Sequence, residues 1–181
     1  MSTAHTSPFE ALVELDARIS QNAFEPPEKQ TRVESWNGVG FTLNDQQFAV
    51  QIGEVTEILP VPSTTPLPGV HPWAKGVSNV RGRLLPIIDL GEFLGKTRDN
   101  RESANRIMIV EQGELSVGLI VDEVQGMVHF STSQFSDAVP DQLFDEVKPF
   151  TVGQYHQDKD YLVFNTQLLV NDSRFLKAAK E

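Results

Sequence analysis

Between Trp36 and Leu59 apolar residues alternate with small or polar ones in short runs. Val39, Phe41 and Leu43 lead into a turn at Asn44-Asp45, Phe48, Val50 and Ile52 alternate after it, and a third strand runs from Val55 to Leu59. The same order returns further on. Placing Glu54-Val55 over Glu123-Val124 sets Phe41 on Val110, Phe48 on Val117 and Val50 on Leu119 without a gap, with Asn44-Asp45 over Gly113-Glu114. Beyond that, Gly76 matches Gly153, Leu85 matches Leu162, and Asp89 matches Asn165 with one residue of slippage. Each half then reads as strand, turn, strand, strand, connection, strand, turn, strand and short helix. In the first half the connection is the proline-rich run from Val61 to Pro72. Short strands leave unpaired edges unless their sheet closes on itself, so the pattern points to a mostly β protein of two similar small barrels sharing a core.

The stretch from Gly76 to Gly95, GVSNVRGRLLPIIDLGEFLG, places chemistry on that framework. Two strands meet at an Asn79-Val80-Arg81-Gly82 corner, where Gly82 supplies the positive φ of a tight turn. Arg81 stands on the corner, a position that turns a guanidinium toward solvent or a partner. Asp89 is placed to cap the helix that follows, with Glu92 three residues on to complete a capping box. None of these groups is a nucleophile or a metal cluster. The segment holds a surface in place, which favours binding over catalysis.

Composition narrows the partners. The net charge of −10 opposes unassisted nucleic-acid binding, which needs clustered Lys and Arg, and equally opposes a polybasic membrane anchor. The chain has no cysteine, so disulfides, thiolate metal sites and cysteine nucleophiles are excluded. The N-terminus has neither the basic nor the apolar region of a secretory signal, no apolar run is long enough to span a bilayer, and cytoplasmic residence is the expectation. Ser7, Pro8 and Glu10 signal a helix start, and Phe9, Leu12, Val13 and Ile19 share a helical face. That helix either packs on its own domain or docks a partner. A linker follows from Ser20 to Glu34, broken by Pro26-Pro27.

Enzyme signatures fail one by one. Gly91 to Thr97 resembles a phosphate-binding loop, but it is one residue short and ends a helix rather than starting one. There is no G-x-S-x-G elbow. His5, His71, His129 and His156 are scattered without ligand spacing. Asp122-Glu123 opens a strand, as Glu54 does in the first half, and Asp158-Lys159-Asp160 reads as a solvated hairpin turn. No catalytic, cofactor or metal residue is expected.

FTLNDQQFAVQIGEVTEIL, beginning at Phe41, and KGVSNVRGRLLPIIDL, beginning at Lys75, resemble the CheW family of chemotaxis coupling proteins, and the resemblance continues through GLIVDEV to cover roughly Trp36 to Val170. Within the family the SWNGVGF and LPGVHPWAKGV segments are similar to the PilI branch, which serves the chemosensory system of type IV pili and twitching motility. The resemblance implies two intertwined five-stranded SH3-like β-barrels around a common core over residues 35–176, after a helix and linker over 1–34 and before a tail at 177–181. It implies an adaptor without enzymatic activity, bridging the cytoplasmic tip of a methyl-accepting chemoreceptor and the regulatory domain of a CheA-type histidine kinase in membrane-associated arrays. Val55 and Glu57 match family positions lining the receptor groove, and Gly76, Asn79 and Arg81 match positions at or beside it. For Arg81 two readings stay open together, a charge-assisted contact to a receptor carboxylate and an internal ion pair with Glu57. Gly76 and Gly82 are expected to serve backbone geometry. Arg83, Leu84 and Leu85 fall where the family varies. A coupler of flagellar chemotaxis and a small single-stranded nucleic-acid-binding barrel are the alternatives.

Overall fold

The computed structural model describes residues 7–22, 35–95, 104–113, 115–141 and 143–179. His5, the Ile19 side chain, most of the expected linker, Lys96-Thr97, the turn residue Glu114 and the last two tail residues lie outside them. The chain divides into two compact units, Met1–Arg32 and Val33–Glu181. The first holds helix α1 (Pro8–Asn22), and its start follows from its sequence. The Ser7 amide donates to Glu10 Oε2 at 2.9 Å, and the Phe9 amide reaches Ser7 Oγ at 3.4 Å. Glu14 and Arg18 pair one turn apart at 2.7 Å.

The second unit runs β1 (Ser35–Leu43), β2 (Gln46–Gln51), β3 (Val55–Pro60), β4 (Ala74–Val80), β5 (Arg83–Asp89), α2 (Leu90–Phe93), β6 (Arg106–Gln112), β7 (Leu115–Val121), β8 (Glu123–Ser131), β9 (Phe135–Ser136), β10 (Thr151–His156), β11 (Asp160–Phe164), α3 (Thr166–Val170) and α4 (Ser173–Leu176). The strands form two sheets, ordered β8-β1-β2-β11-β10-β9 and β3-β6-β7-β5-β4. The internal repeat is present at residue level. Phe41 pairs with Phe48 as Val110 pairs with Val117, and Val55 pairs with Val110 as Val124 pairs with Phe41. Each of the last two ladders then takes up a bulge at the same place.

Neither sheet belongs to one half of the chain. The β1–β2 hairpin joins β8 to β11 of the second half, while β6–β7 inserts between β3 and β5 of the first. The expected pair of barrels is therefore built by exchanging hairpins. The sixth strand, β9, is two residues long, and its counterpart in the other sheet is the isolated pair Thr65↔Val77.

Burial sorts the alternation into three clusters. Leu59, Val80, Leu85, Ile87, Ile107, Ile109 and Ile120 converge from all five strands of one sheet and fill its interior. Phe130, Tyr155, Val163 and Ala49, with Trp36, Val128 and Tyr161 against them, fill the other. Between the sheets lies a larger shared core, where Phe41 and Phe48 stack at 5.4 Å and both meet Phe164 edge-on.

One repeat match shifts. Ile87 pairs with Gly118 as Val163 pairs with Ala49, so Leu85 corresponds to Tyr161 and Leu162 to Pro86. The slippage expected before Asp89 lies in the hairpin corner instead. Four residues separate the cross-strand pair Asn79↔Leu84, and three separate its counterpart His156↔Asp160.

At the C-terminal end Asp172 caps α4, accepting from the Arg174 amide at 2.7 Å and from its guanidinium at 3.1 and 3.0 Å. The hydrogen bond from the Arg174 side chain holds the Asp172 carboxyl below the usual carboxylate range, against desolvation that raises it. A depressed folded-state pKa contributes stability that is complete above the ordinary carboxylate range and lost as pH falls through the lowered value. Asp172→Asn is expected to lower the urea midpoint near neutrality, and the gap to the unsubstituted chain should close in strong acid.

Candidate functional site

The corner at the end of β4 and β5 is a two-residue turn. Val80 pairs with Arg83, and Arg81 and Gly82 between them have φ of +52° and +82°. Positive φ at both central positions matches the twist of the flanking strands, a demand usually met by Asn-Gly or Gly-Gly. Gly82 meets it freely. Arg81 holds a left-handed conformation that costs a non-glycine residue roughly 1–2 kcal/mol. Asn79 supports the turn, its Oδ1 accepting from the Gly82 amide at 2.8 Å.

That conformation aims the Arg81 side chain back toward β3. Its Nη2 lies 2.5 Å from Glu57 Oε1, an ion pair in which the guanidinium side chain is 75% exposed and the carboxylate side chain 23%. The β3 bulge sets Glu57 opposite Ile109, on the face that fills the five-stranded interior, so the pair spans the mouth of that barrel and ties β3 to the far end of its own sheet. Arg83, on the same face of β5 as Leu85, pairs with Glu111 of β6 and donates to Ser116 Oγ of β7 at 2.6 Å. Two arginines from one hairpin thus cover the mouth from outside, with their carboxylates beneath them.

The other barrel does not repeat the Arg81–Glu57 pair. Its positions for Glu57 and Arg81 are Gly126 and Asp158, and its mouth carries a neutral network in which Tyr161 Oη donates to Gln125 Oε1 at 2.9 Å and Gln125 Nε2 to Thr42 Oγ1 at 3.2 Å, with Gln47 alongside.

The sequence-selected residues separate into three groups. Glu57, Asn79 and Arg81 meet at the corner. Val55 lies half-buried against the shared core, on the opposite side of the β3 bulge. Gly76 sits at the other end of the hairpin, where a Cβ would come 2.0 Å from Thr65 O. It is a point of close backbone approach, as is Gly153, whose Cβ would press on Phe135 and Ser136.

Asp89 caps α2 as expected, accepting from the Glu92 amide at 3.1 Å. The reciprocal half of the box does not form. The Asp89 amide donates to Trp73 O at 2.8 Å, and the Glu92 carboxylate takes Lys75 Nζ at 2.6 Å, a stronger charged partner than an amide. Of the three variable positions, Leu85 is buried, Arg83 is held by Glu111 and Ser116, and Leu84 is exposed. The Arg83 pairing was not foreseen. Its signal in the sequence is a glutamate whose repeat position is the uncharged Thr42, while the repeat position of Arg83 keeps a cation in Lys159.

The corner offers an oriented guanidinium with donors to spare, suited to holding a carboxylate from outside. Among the described residues no group of three or more His, Asp or Glu could hold a metal ion, and no helix is long and apolar enough to cross a membrane.

Known proteins are similar to this chain. A family model described as a CheW-like domain matches residues 37–174. The chain is 43% identical over 179 residues to Protein PilI of Pseudomonas aeruginosa, covering 99% of both chains. It is 32% identical over 98 residues to Chemotaxis protein CheW of Bacillus subtilis, covering 54% of this chain and 63% of that one. The crystal structure of the scaffolding protein TtCheW from Thermoanaerobacter tengcongensis superposes with a TM-score of 0.69 at 26% identity, over 77% of this chain and 95% of that one.

Gly76→Ala and Gly82→Ala separate close approach from conformation alone. Both have positive φ, but the space around Gly82 is open. Urea unfolding should show Gly82→Ala costing about 1 kcal/mol and Gly76→Ala roughly 3 kcal/mol.

Proposed function

The chain belongs to the CheW-like family, and from that premise we propose that it is a non-enzymatic adaptor coupling the cytoplasmic tip of a methyl-accepting chemoreceptor to the regulatory domain of a CheA-type histidine kinase. It acts in the cytoplasm, on membrane-bound receptor arrays, in the chemosensory system of type IV pili. The match to PilI supports the pathway, because it extends through the N-terminal residues that lie outside the family model. The match to the Bacillus subtilis CheW favours a second reading, a flagellar coupler. Deletion of the gene separates them, by loss of twitching or by loss of swimming bias.

One observation carries the docking reading: Arg81 is fixed by its turn and by Glu57, yet leaves three quarters of its side chain to solvent. Fixing a long side chain beforehand lowers the entropy lost on binding. In this reading Glu57 and Asn79 hold Arg81 and its turn, Val55 extends the contact from the other side of the β3 bulge, beside the shared core, and Gly76 keeps the hairpin seated. The adaptor contributes free energy that differs between two states of the array: a displaced receptor hairpin changes how the kinase domain sits against it.

Arg81→Glu is expected to keep the circular dichroism spectrum of the unsubstituted chain while capture by a receptor cytoplasmic fragment falls at least about tenfold, because an exposed ion pair contributes little to folding and a carboxylate would now face a carboxylate. Undiminished capture by the folded variant removes Arg81 from the contact.

A further inference from the structure

Leu84 is 70% exposed, beside the Arg81 corner, and neither the shared core nor the barrel interior uses it. Its neighbours have clear duties. Arg83 points to the barrel mouth and is held by Glu111 and Ser116, and Leu85 fills the interior. Strand alternation turns Leu84 to the opposite face of β5, in line with Pro86 and Ile88. Along that line burial falls steadily, from Ile88 in the shared core through half-buried Pro86 to Leu84 in solvent. The apolar face that holds the two sheets together therefore continues past the core and surfaces next to Arg81.

The repeat supplies an internal control. Leu84 pairs across the ladder with Asn79, and the counterpart pair is Asp160 with His156, whose side chains meet at 2.7 Å. At the equivalent place in the other barrel the same backbone carries a soluble, self-satisfied polar pair. The fold does not need a leucine there.

We infer that Leu84 is the apolar specificity contact of the docking surface, and that this surface takes an acidic amphipathic helix, an apolar side chain lying on Leu84 and Pro86 while a carboxylate reaches Arg81. The inference rests on the docking reading given above and names the chemistry its partner must present. Charge complementarity selects an acidic segment, since both guanidiniums lie outside their carboxylates. The apolar line selects a helix with one greasy face, because a purely acidic segment would leave Leu84 in water.

The test uses the full chain and a receptor cytoplasmic hairpin fragment as probe, with affinity measured across a salt series and folding checked by circular dichroism. Leu84→Ser should weaken binding about tenfold with the salt dependence unchanged, since it removes apolar burial and no charge. Leu84→Met should restore it, and Arg81→Ala should weaken binding and flatten the salt dependence. Full affinity in Leu84→Ser alongside loss in Arg81→Ala overturns the role of Leu84 and leaves the docking reading intact. Full affinity in both variants, or no binding by the unsubstituted chain, overturns the docking reading and the inference with it.

Discussion

Phe41, Phe48 and Phe164 form the contact at the centre of the core that the two sheets share. The first two stack across the β1–β2 hairpin, and the third, from the last strand, meets each edge-on. Edge-to-face packing of three fully buried rings needs all three strands at once. β11 reaches the cluster by running parallel to β2, and parallel neighbours cannot be joined by a tight turn. The cluster therefore forces a long crossover, and the matching pairing of β5 with β7 forces a second. Hairpin exchange satisfies both with one repeated motif.

On this symmetric frame the two barrels diverge at their mouths. One is covered by Arg81 with Glu57 and Arg83 with Glu111, the other by amide and hydroxyl groups of Gln125, Thr42 and Tyr161. Exposed ion pairs contribute little to stability, of order 0–1 kcal/mol each. Their value lies in orientation: a carboxylate beneath each guanidinium fixes where the charge points. The strained turn at Arg81 contributes to this, since its φ of +52° sets the direction in which the side chain leaves the backbone. Divergence within the repeat separates residues that build the frame from those that give one barrel a task.

Local signals were legible in the sequence. The turns at Asn44-Asp45 and Arg81-Gly82 and the caps at Asp89 and Asn165 depend on residues within a few positions of one another, and the glycines at 76 and 153 stood out through the repeat. The exchange was not legible, because alternation in β3 or β8 reads the same whichever sheet receives the strand. Nor was the positive φ of Arg81, which the strand twist imposes on a residue that does not favour it. Glu92 had the right spacing for its cap, but Lys75, distant in sequence, offered the stronger bond. Arg83 meeting Glu111 is likewise a product of the barrel closing, and no local pattern encodes it.

Hairpin exchange also sets an order of events in synthesis. β1 meets β2 as soon as both leave the ribosome, but its other neighbour is β8, so that Thr42 waits for Gln125, 83 residues later. Contacts of such separation are slow to form, and until they do the early hairpin exposes apolar faces and open edges. β11 comes later still, with the ring that completes the shared core. Neither half offers a resting point at which folding could pause, so the nascent chain must stay soluble until nearly all of it has emerged, a burden that falls on its many acidic residues and on any chaperone that meets it.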